Sequence, residues 1–323
     1  MTVSSCAARG RKGRRKIPQE TDLSLKEGVY HGSASFPAAI YEDDIRKMDV
    51  LWHWHEELEI GWITEGTVLV ETAKGEKALH AGDGFFLNTG VLHAMLSPED
   101  GPSKLRSIVF HQSIVGGMEG SIFDREYVLP LTGSRNLREL MLRADNETHE
   151  KILSCVRQAW TAQAQGRPDY PLTMRDCLSR ICAMLIAGSG PDEEGTGSGD
   201  IVREDRARKM LEYIHRNFAQ DIALKDIADA ASVSVSEALR SFRQIIGATP
   251  VQYLKKYRLS RAAQLLQETD LPVSEICGQC GFQDSSYFAK SFREVYGCTP
   301  GESRQEPGVP PGRVRPGDHS VIG

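Results

Sequence analysis

ALKDIADAASVSVSEALRSFRQIIGATP, residues 223–250, returns downstream as PVSEICGQCGFQDSSYFAKSFREVYGCTP, residues 272–300. Ile227 lies over Ile276, Ala228 over Cys277 and Ala231 over Cys280. After a one-residue gap, Phe242 lies over Phe292, Arg243 over Arg293, Gly247 over Gly297 and Thr249-Pro250 over Thr299-Pro300. Self-similarity at a fixed spacing marks a duplicated supersecondary unit. Each unit has the grammar of a helix-turn-helix: a first helix with small residues that lets a second cross it closely, then a turn, then a capping residue. Ser234 is the expected cap of the first unit, and Asp284 or Ser285 that of the second, because their side chains satisfy the free amides that open a helix. Phe242 and Phe292 would anchor the second helices in the core.

Between the units VQYLKKYRLSRAAQLLQ (251–267) reads as one amphipathic helix of a length that fixes their separation. The second helix of each unit presents short polar or basic residues on the face away from its Phe. These are Ser236, Glu237 and Arg240 in the first, and Ser285, Ser286, Tyr287 and Lys290 in the second. A helix that lies in a major groove needs such a face. Lys255, Lys256, Arg258 and Arg261 on the connecting helix are candidate phosphate contacts, which set affinity without reading sequence. The CGQC stretch (277–280) has the spacing of a redox motif or half a zinc site, yet Cys277 and Cys280 fall where the first unit has alanines, so core packing is expected.

Residues 203–303 resemble the DNA-binding domain of the AraC/XylS transcription regulators. The segments that carry the likeness are DIA near the start, YRLSRAAQLL in the middle and GFQDSSYFAKSFREVYGCTP at the end. The resemblance implies two recognition helices, 234–244 and 284–295, entering successive major grooves about one helical turn, roughly 34 Å, apart. Transferred by distance from the anchoring Phe, the family's contact positions are Ser236, Leu239 and Arg240, and then Ser285, Ser286, Tyr287, Ala289 and Lys290. Leu239 departs from the pattern, which usually has a polar residue there.

Upstream, GSGPDEEGTGSGD (188–200) holds five glycines and no hydrophobic residue, the composition of a flexible linker. Before it, NLRELMLRADNETHEKILSCVRQAWTAQAQ and PLTMRDCLSRICAMLIAG carry helical periodicity broken by GRPDYP, so an antiparallel helix pair is expected. Residues 28–116, rich in Val, Ile, Phe and Trp and punctuated by turn residues, read as short strands of a sandwich or small barrel. Charge follows the same division. Residues 17–202 carry 16 Lys and Arg against 29 Asp and Glu, whereas residues 203–304 carry 15 against 13. The first 16 residues hold six basic groups and read as a disordered arm, either solvated or touching phosphates. No apolar run is long enough to span a bilayer, and no apolar segment follows the basic start as a secretory signal requires. Seven cysteines without regular spacing suit reduced thiols and a cytoplasmic setting.

His53, His55, Glu59 and Gly66 fit H-x-H-x3-E-x6-G, and Gly82, Gly90 and His93 fit G-x7-G-x2-H. These motifs resemble those of the cupin barrel, which gathers three histidines and a glutamate around one metal; Asn88 stands where the second motif usually has Pro. Imidazole and carboxylate ligands suit Fe, Mn, Ni or Zn. Strand alternation places His53, His55 and Glu59 on one face and Trp52, Trp54, Leu58, Ile60 and Trp62 on the other. Three uses remain open for the four side chains: lining of an effector pocket, a sensory or structural metal site, or a catalytic centre. The DNA-binding partner domain favours sensor over catalyst.

The expected fold is therefore an α+β multidomain chain. A disordered tail (1–20) precedes a cupin-like β-barrel with a helical hairpin for effector binding and dimerisation (21–187). A linker (188–200), an all-α double helix-turn-helix domain (201–304) and a second disordered tail (305–323) follow. The expected function is sequence-specific transcription regulation without enzymatic activity, the alternative being a metal-dependent cupin enzyme or metal sensor with a DNA-binding appendage. Double-stranded operator DNA, a small-molecule effector (a carbohydrate by family habit), a second copy of the chain and RNA polymerase are the expected partners, with no membrane.

Overall fold

A computed structural model describes residues 31–33, 35–47, 49–98, 101–190 and 198–305. The expected tail at 1–20, the expected tail at 305–323 apart from Gln305, and residues 191–197 of the expected linker lie outside the described residues; Gln305 ends a helix and residues 198–200 begin one, so neither belongs to a tail or linker.

Among the described residues, the first half holds eight antiparallel strands: β1 Ala38–Asp44, β2 Val50–His53, β3 Leu58–Thr72, β4 Gly75–His80, β5 Gly84–Leu87, β6 His93–Leu96, β7 Ser103–Phe110 and β8 Glu139–Leu142. The long β3 belongs to two faces. Its first half pairs with β5 and β7 in the order β1-β7-β3-β5-β8, and its second half pairs with β4 and β6, with β2 beyond β6. The strand changes face at a register shift between Ile63 and Glu65, followed by Gly66 at φ 70°. A Cβ on Gly66 would stand 1.7 Å from the Pro102 carbonyl oxygen, so only glycine permits this bend.

Alternation along β3 divides its side chains between two cores. Ile63, Val68 and Val70 join Phe85, Leu87, Met95 and Leu105 inside the barrel. Leu58, Ile60 and Trp62 face outward against Leu153, Val156, Trp160, Leu178 and Ile181 of two helices, α3 (Glu147–Ala164) and α4 (Tyr170–Gly188). Each fully buried Leu, Ile or Phe contributes about 1.5–3 kcal/mol. Short helices α1 (Ser113–Gly116) and α2 (Leu129–Gly133) and one π-helical turn lie between β7 and β8.

The expected helix pair is present, but its predicted start is too early. Glu139–Leu142 is a strand, β8, paired with β5. Asn88 helps hold it there: its amide donates to the carbonyls of Leu131 (2.8 Å) and Leu137 (2.9 Å), and its backbone N–H donates to Arg138 O. The proline of the usual motif has no such amide.

Among the described residues the second half is helical: α5 Ser198–Asn217, α6 Leu224–Ala230, α7 Val235–Ile246, α8 Pro250–Glu268, α9 Val273–Gln279, α10 Ser285–Tyr296 and α11 Pro300–Gln305. The repeated residues are repeated caps. Ser234 accepts from Glu237 N, and Asp284, rather than Ser285, accepts from Tyr287 N. Gly247 and Gly297 close α7 and α10 in the left-handed region at φ 75° and 74°. Thr249 caps α8 and Thr299 accepts from Glu302 N in the same way. Phe242 and Phe292 are fully buried, each in the core of its own unit. Cys277 and Cys280 are buried in the second core, where burial pushes the Cys280 thiol up to about 11 and keeps it protonated.

Candidate functional site

The structure brings the four candidate side chains of the barrel together. His53 ends β2, His55 lies in the connection that follows, Glu59 is on β3, and His93 opens β6 directly opposite His53. They come from separate strands, not from the single strand face that alternation alone predicts. The turn after Trp54 breaks the strand and restarts it at Leu58. Each offers one ligand atom within 4.8 Å of all the others, the one such convergent group among the described residues. His55, Glu59 and His93 are buried.

The imidazoles are oriented by the backbone. His53 Nδ1 lies 2.9 Å from Leu51 O, His55 Nδ1 3.0 Å from Glu57 O, and His93 Nδ1 2.8 Å from Val91 O. A carbonyl only accepts, so each Nδ1 must carry the hydrogen and donate it. In a neutral imidazole that leaves Nε2 as a lone pair. The Nε2 atoms of His55 and His93 stand 3.4 and 3.2 Å from Glu59 Oε2, which is also an acceptor. His93 Nε2 is fully buried, with Glu59 Oε2 the acceptor it faces. Acceptors turned toward acceptors repel unless positive charge lies among them, and two sources fit: protons on the rings or a cation. For Glu59, burial is the largest influence and pushes its carboxyl up. Hydrogen bonds from His55 and then His93, with their charge, outweigh it and hold the group well below the usual carboxylate range.

The dimensions match an ion. Ligands about 2.1 Å from a tetrahedral metal lie about 3.4 Å from one another, close to the Glu59–His55 and Glu59–His93 separations. Nδ1–H donation to a carbonyl is also the usual outer-shell support of a metal-bound histidine. Four ligand atoms this close leave no room among them for an organic ring. An open cleft of about 410 Å³, lined by residues including Glu56, Thr89, His111 and Thr132, is separate from the four side chains. Sequence reasoning missed His31, which is buried, sets its ring edge-on to His55 at 5.5 Å and pairs with Tyr41 OH at 2.7 Å. It stands outside both motifs, so no spacing signalled it.

On the helical half, Ser236, Arg240, Ser285, Ser286, Tyr287 and Lys290 are exposed, while Glu237, Leu239 and Ala289 are half-buried beside them. Glu237 is engaged by Arg206 (2.9 Å) and by Arg240. The four basic residues of α8 are placed differently from one another. Lys255 pairs with Glu294 at 3.3 Å and lies over the Tyr287 ring; Lys256 reaches Asp49 of the barrel at 3.5 Å. Arg258 donates to Phe218 O and Gln220 O, both at 2.7 Å, closing the end of α5; Arg261 donates to Gln264.

Comparison with known proteins places these two halves separately. A family model described as an AraC-like ligand binding domain matches residues 40–172, and one described as a helix-turn-helix domain matches residues 227–306. The chain is 28% identical over 282 residues to an HTH-type transcriptional regulator of Bacillus subtilis, YdeC, covering 86% of this chain and 95% of that one. It is 35% identical over 163 residues to the HTH-type transcriptional activator RhaS of an Enterobacter species, covering 50% of this chain and 56% of RhaS. Among solved structures, the C-terminal domain of AraT, a response regulator from Geobacillus stearothermophilus, is 32% identical, with 31% of this chain and 84% of that chain covered and a TM-score of 0.30. ToxT from Vibrio cholerae is 14% identical, with 85% and 98% covered and a TM-score of 0.41. No helix among the described residues is long and apolar enough to cross a membrane.

Proposed function

We propose that the chain is an AraC-type transcription regulator, joining a ligand-binding domain to a helix-turn-helix DNA-binding domain, and that its regulatory signal is a divalent first-row metal ion held by His53, His55, Glu59 and His93. The observation that carries this reading is the convergence of three backbone-oriented imidazoles and a carboxylate within 4.8 Å. When bound, the ion supplies positive charge to a group of acceptors that otherwise needs protons. His53 and His55 then tie the end of β2 to His93 on β6 and Glu59 on β3.

In the same reading α7 and α10 address two major-groove segments of an operator, in the cytoplasm. Arg240 and Lys290 supply charged contacts, and Ser236, Leu239, Ser285, Ser286, Tyr287 and Ala289 supply short or apolar ones. Helix α8, 19 residues and hence about 28 Å long, sets the distance between them. Lys255 and Arg261 are better placed to approach phosphates than Arg258, which serves α5, or Lys256, which faces the barrel. The apolar face of α3 is largely spent on the sheet and on α4, and that of α4 on α3 and the short helices. Exposed Met118, Ile122, Phe123, Leu129 and Leu172 support a homodimer face at the start of α4 instead. RNA polymerase is the proposed further partner of the DNA-bound dimer.

The test is metal content by mass spectrometry on chelator-free protein beside a His53→Ala, His93→Ala double variant. About one equivalent in the wild type, lost in the variant, is the expected result. A metal-free wild type that also binds no added metal would overturn this reading.

A further inference from the structure

The strands that carry the metal-ligand candidates also carry the contact surface for the DNA-binding half, on their opposite face. We propose that helix α5 couples the two: occupancy of the histidine cluster strengthens the seating of α5 on β2 and β6, and α5 passes that change to the recognition helix α7. This rests on the metal reading above and concerns how that site regulates.

The argument begins with alternation. Side chains along a strand point to opposite faces in turn. His53 faces the cluster, and its neighbour Trp52 packs in one apolar core with Ala207, Met210, Leu211 and Ile214 of α5. His93 faces the cluster, and its neighbours Leu92 and Ala94 enter that same core. His53 and His93 are themselves paired across β2 and β6. Movement of either imidazole therefore moves the backbone that positions the α5 contacts.

Polar contacts fasten the same junction. Glu204 Oε1, buried, accepts from Leu92 N at 3.3 Å and from Arg138 Nη2 at 2.7 Å. Arg208 Nη2 donates to Gly90 O at 2.6 Å, and its guanidinium lies 4.6 Å over the Trp54 ring. Gly90 and Leu92 lie within three residues of His93, and Trp54 is between His53 and His55. From the far side of α5, Arg206 Nη1 donates to Glu237 Oε1 at 2.9 Å, and Glu237 also holds Arg240 on the exposed face of α7.

The direction follows from how β2 is held. It is four residues long and pairs with β6 at only two positions, Val50↔Met95 and His53↔His93, with a register shift between them. Such a strand is loosely fixed by its own hydrogen bonds. Cross-linking His53 and His55 to His93 and Glu59 fixes it, and with it Trp52 and Trp54. Linkage is reciprocal, so seating of α5 must raise metal affinity by the factor by which metal favours seating.

Arg208→Ala tests this because Arg208 touches neither the four ligands nor the DNA-reading face. Calorimetric titration of Zn²⁺ into the full chain, with amide exchange of α5 followed with and without Zn²⁺, gives two readouts. We expect Zn²⁺ to bind Arg208→Ala roughly tenfold more weakly than wild type, and wild-type α5 to exchange more slowly by a similar factor when Zn²⁺ is present. Glu204→Gln, nearly isosteric, should weaken binding in the same direction, whereas Lys151→Ala on the solvent side of α3 should not. If Zn²⁺ binds all variants alike and leaves α5 exchange unchanged, the coupling is wrong and the metal reading stands. If the wild type binds no Zn²⁺, both fall.

Discussion

His215 offers a measurable consequence of the junction between the two halves. Its ring is stacked 3.8 Å from that of Tyr257 and lies parallel to that of Tyr253, whose hydroxyl is 2.8 Å from Nε2. Tyr253 in turn donates to the Trp52 carbonyl at 3.5 Å, so the histidine sits one contact from β2. Burial, and secondarily the nearby His53 and Arg261, push its pKa down to about 3 from an ordinary 6.5. A histidine with a depressed folded pKa stabilises nothing by charging; the unfolded chain takes the proton first. Stability is therefore complete above pH 6.5 and is lost progressively as pH falls toward 3. Between pH 7.5 and 5.5 the loss from this one group is about 1.4 kcal/mol, the cost of one proton over one pH unit below 6.5. His215→Phe keeps the stacking and removes the titration, at about 1 kcal/mol for the lost hydrogen bond. Urea melts of wild type and variant at pH 7.5, 6.5 and 5.5, with chelator present, should converge on acidification and cross near about pH 6. Parallel pH dependences would refute the assignment of a neutral buried histidine to this position.

Arg240→Ala and Lys290→Ala should each weaken operator binding, by about 1–3 kcal/mol where the side chain meets a base edge and with a shallower salt dependence where it meets phosphate; unchanged binding in both would remove α7 and α10 as the reading helices. Ser234→Ala and Asp284→Ala should each destabilise by about 1 kcal/mol through loss of an N-cap, seen as equal midpoint shifts in denaturant. Gly84→Ala places a Cβ 2.3 Å from Gly61 O and 2.5 Å from Leu153 Cδ2, so it should force β5 from β3 and lower the barrel's melting temperature; an unaltered midpoint would contradict the tight β3–β5 approach.

The duplicated helical unit was legible because its repeated residues are local devices. Ser234, Asp284, Gly247 and Gly297 act on the backbone next to them, so sequence spacing carries their roles. The histidine cluster was legible for a different reason: the spacing in two motifs reflects strand lengths and one turn, although His55 and Glu59 proved to straddle a strand break. Strand β8 was not legible. The apolar residues of ELML fit a helix as well as a strand, and the deciding partner, β5, is about fifty residues away in sequence. The junction between the halves was hidden as well. Trp52, Trp54 and the apolar face of α5 look like ordinary core residues, and only the fold shows that they bury one another.

The most direct measurement is binding of the full chain to a labelled duplex taken from upstream of its own gene and to a shuffled duplex of equal composition, each without and with saturating Zn²⁺. The account predicts a preference for the first duplex on the order of a thousandfold or more, and an affinity for it that changes with Zn²⁺ in the wild type but not in His53→Ala, His93→Ala. Equal affinity for the two duplexes, or a wild type whose binding ignores Zn²⁺, would contradict it.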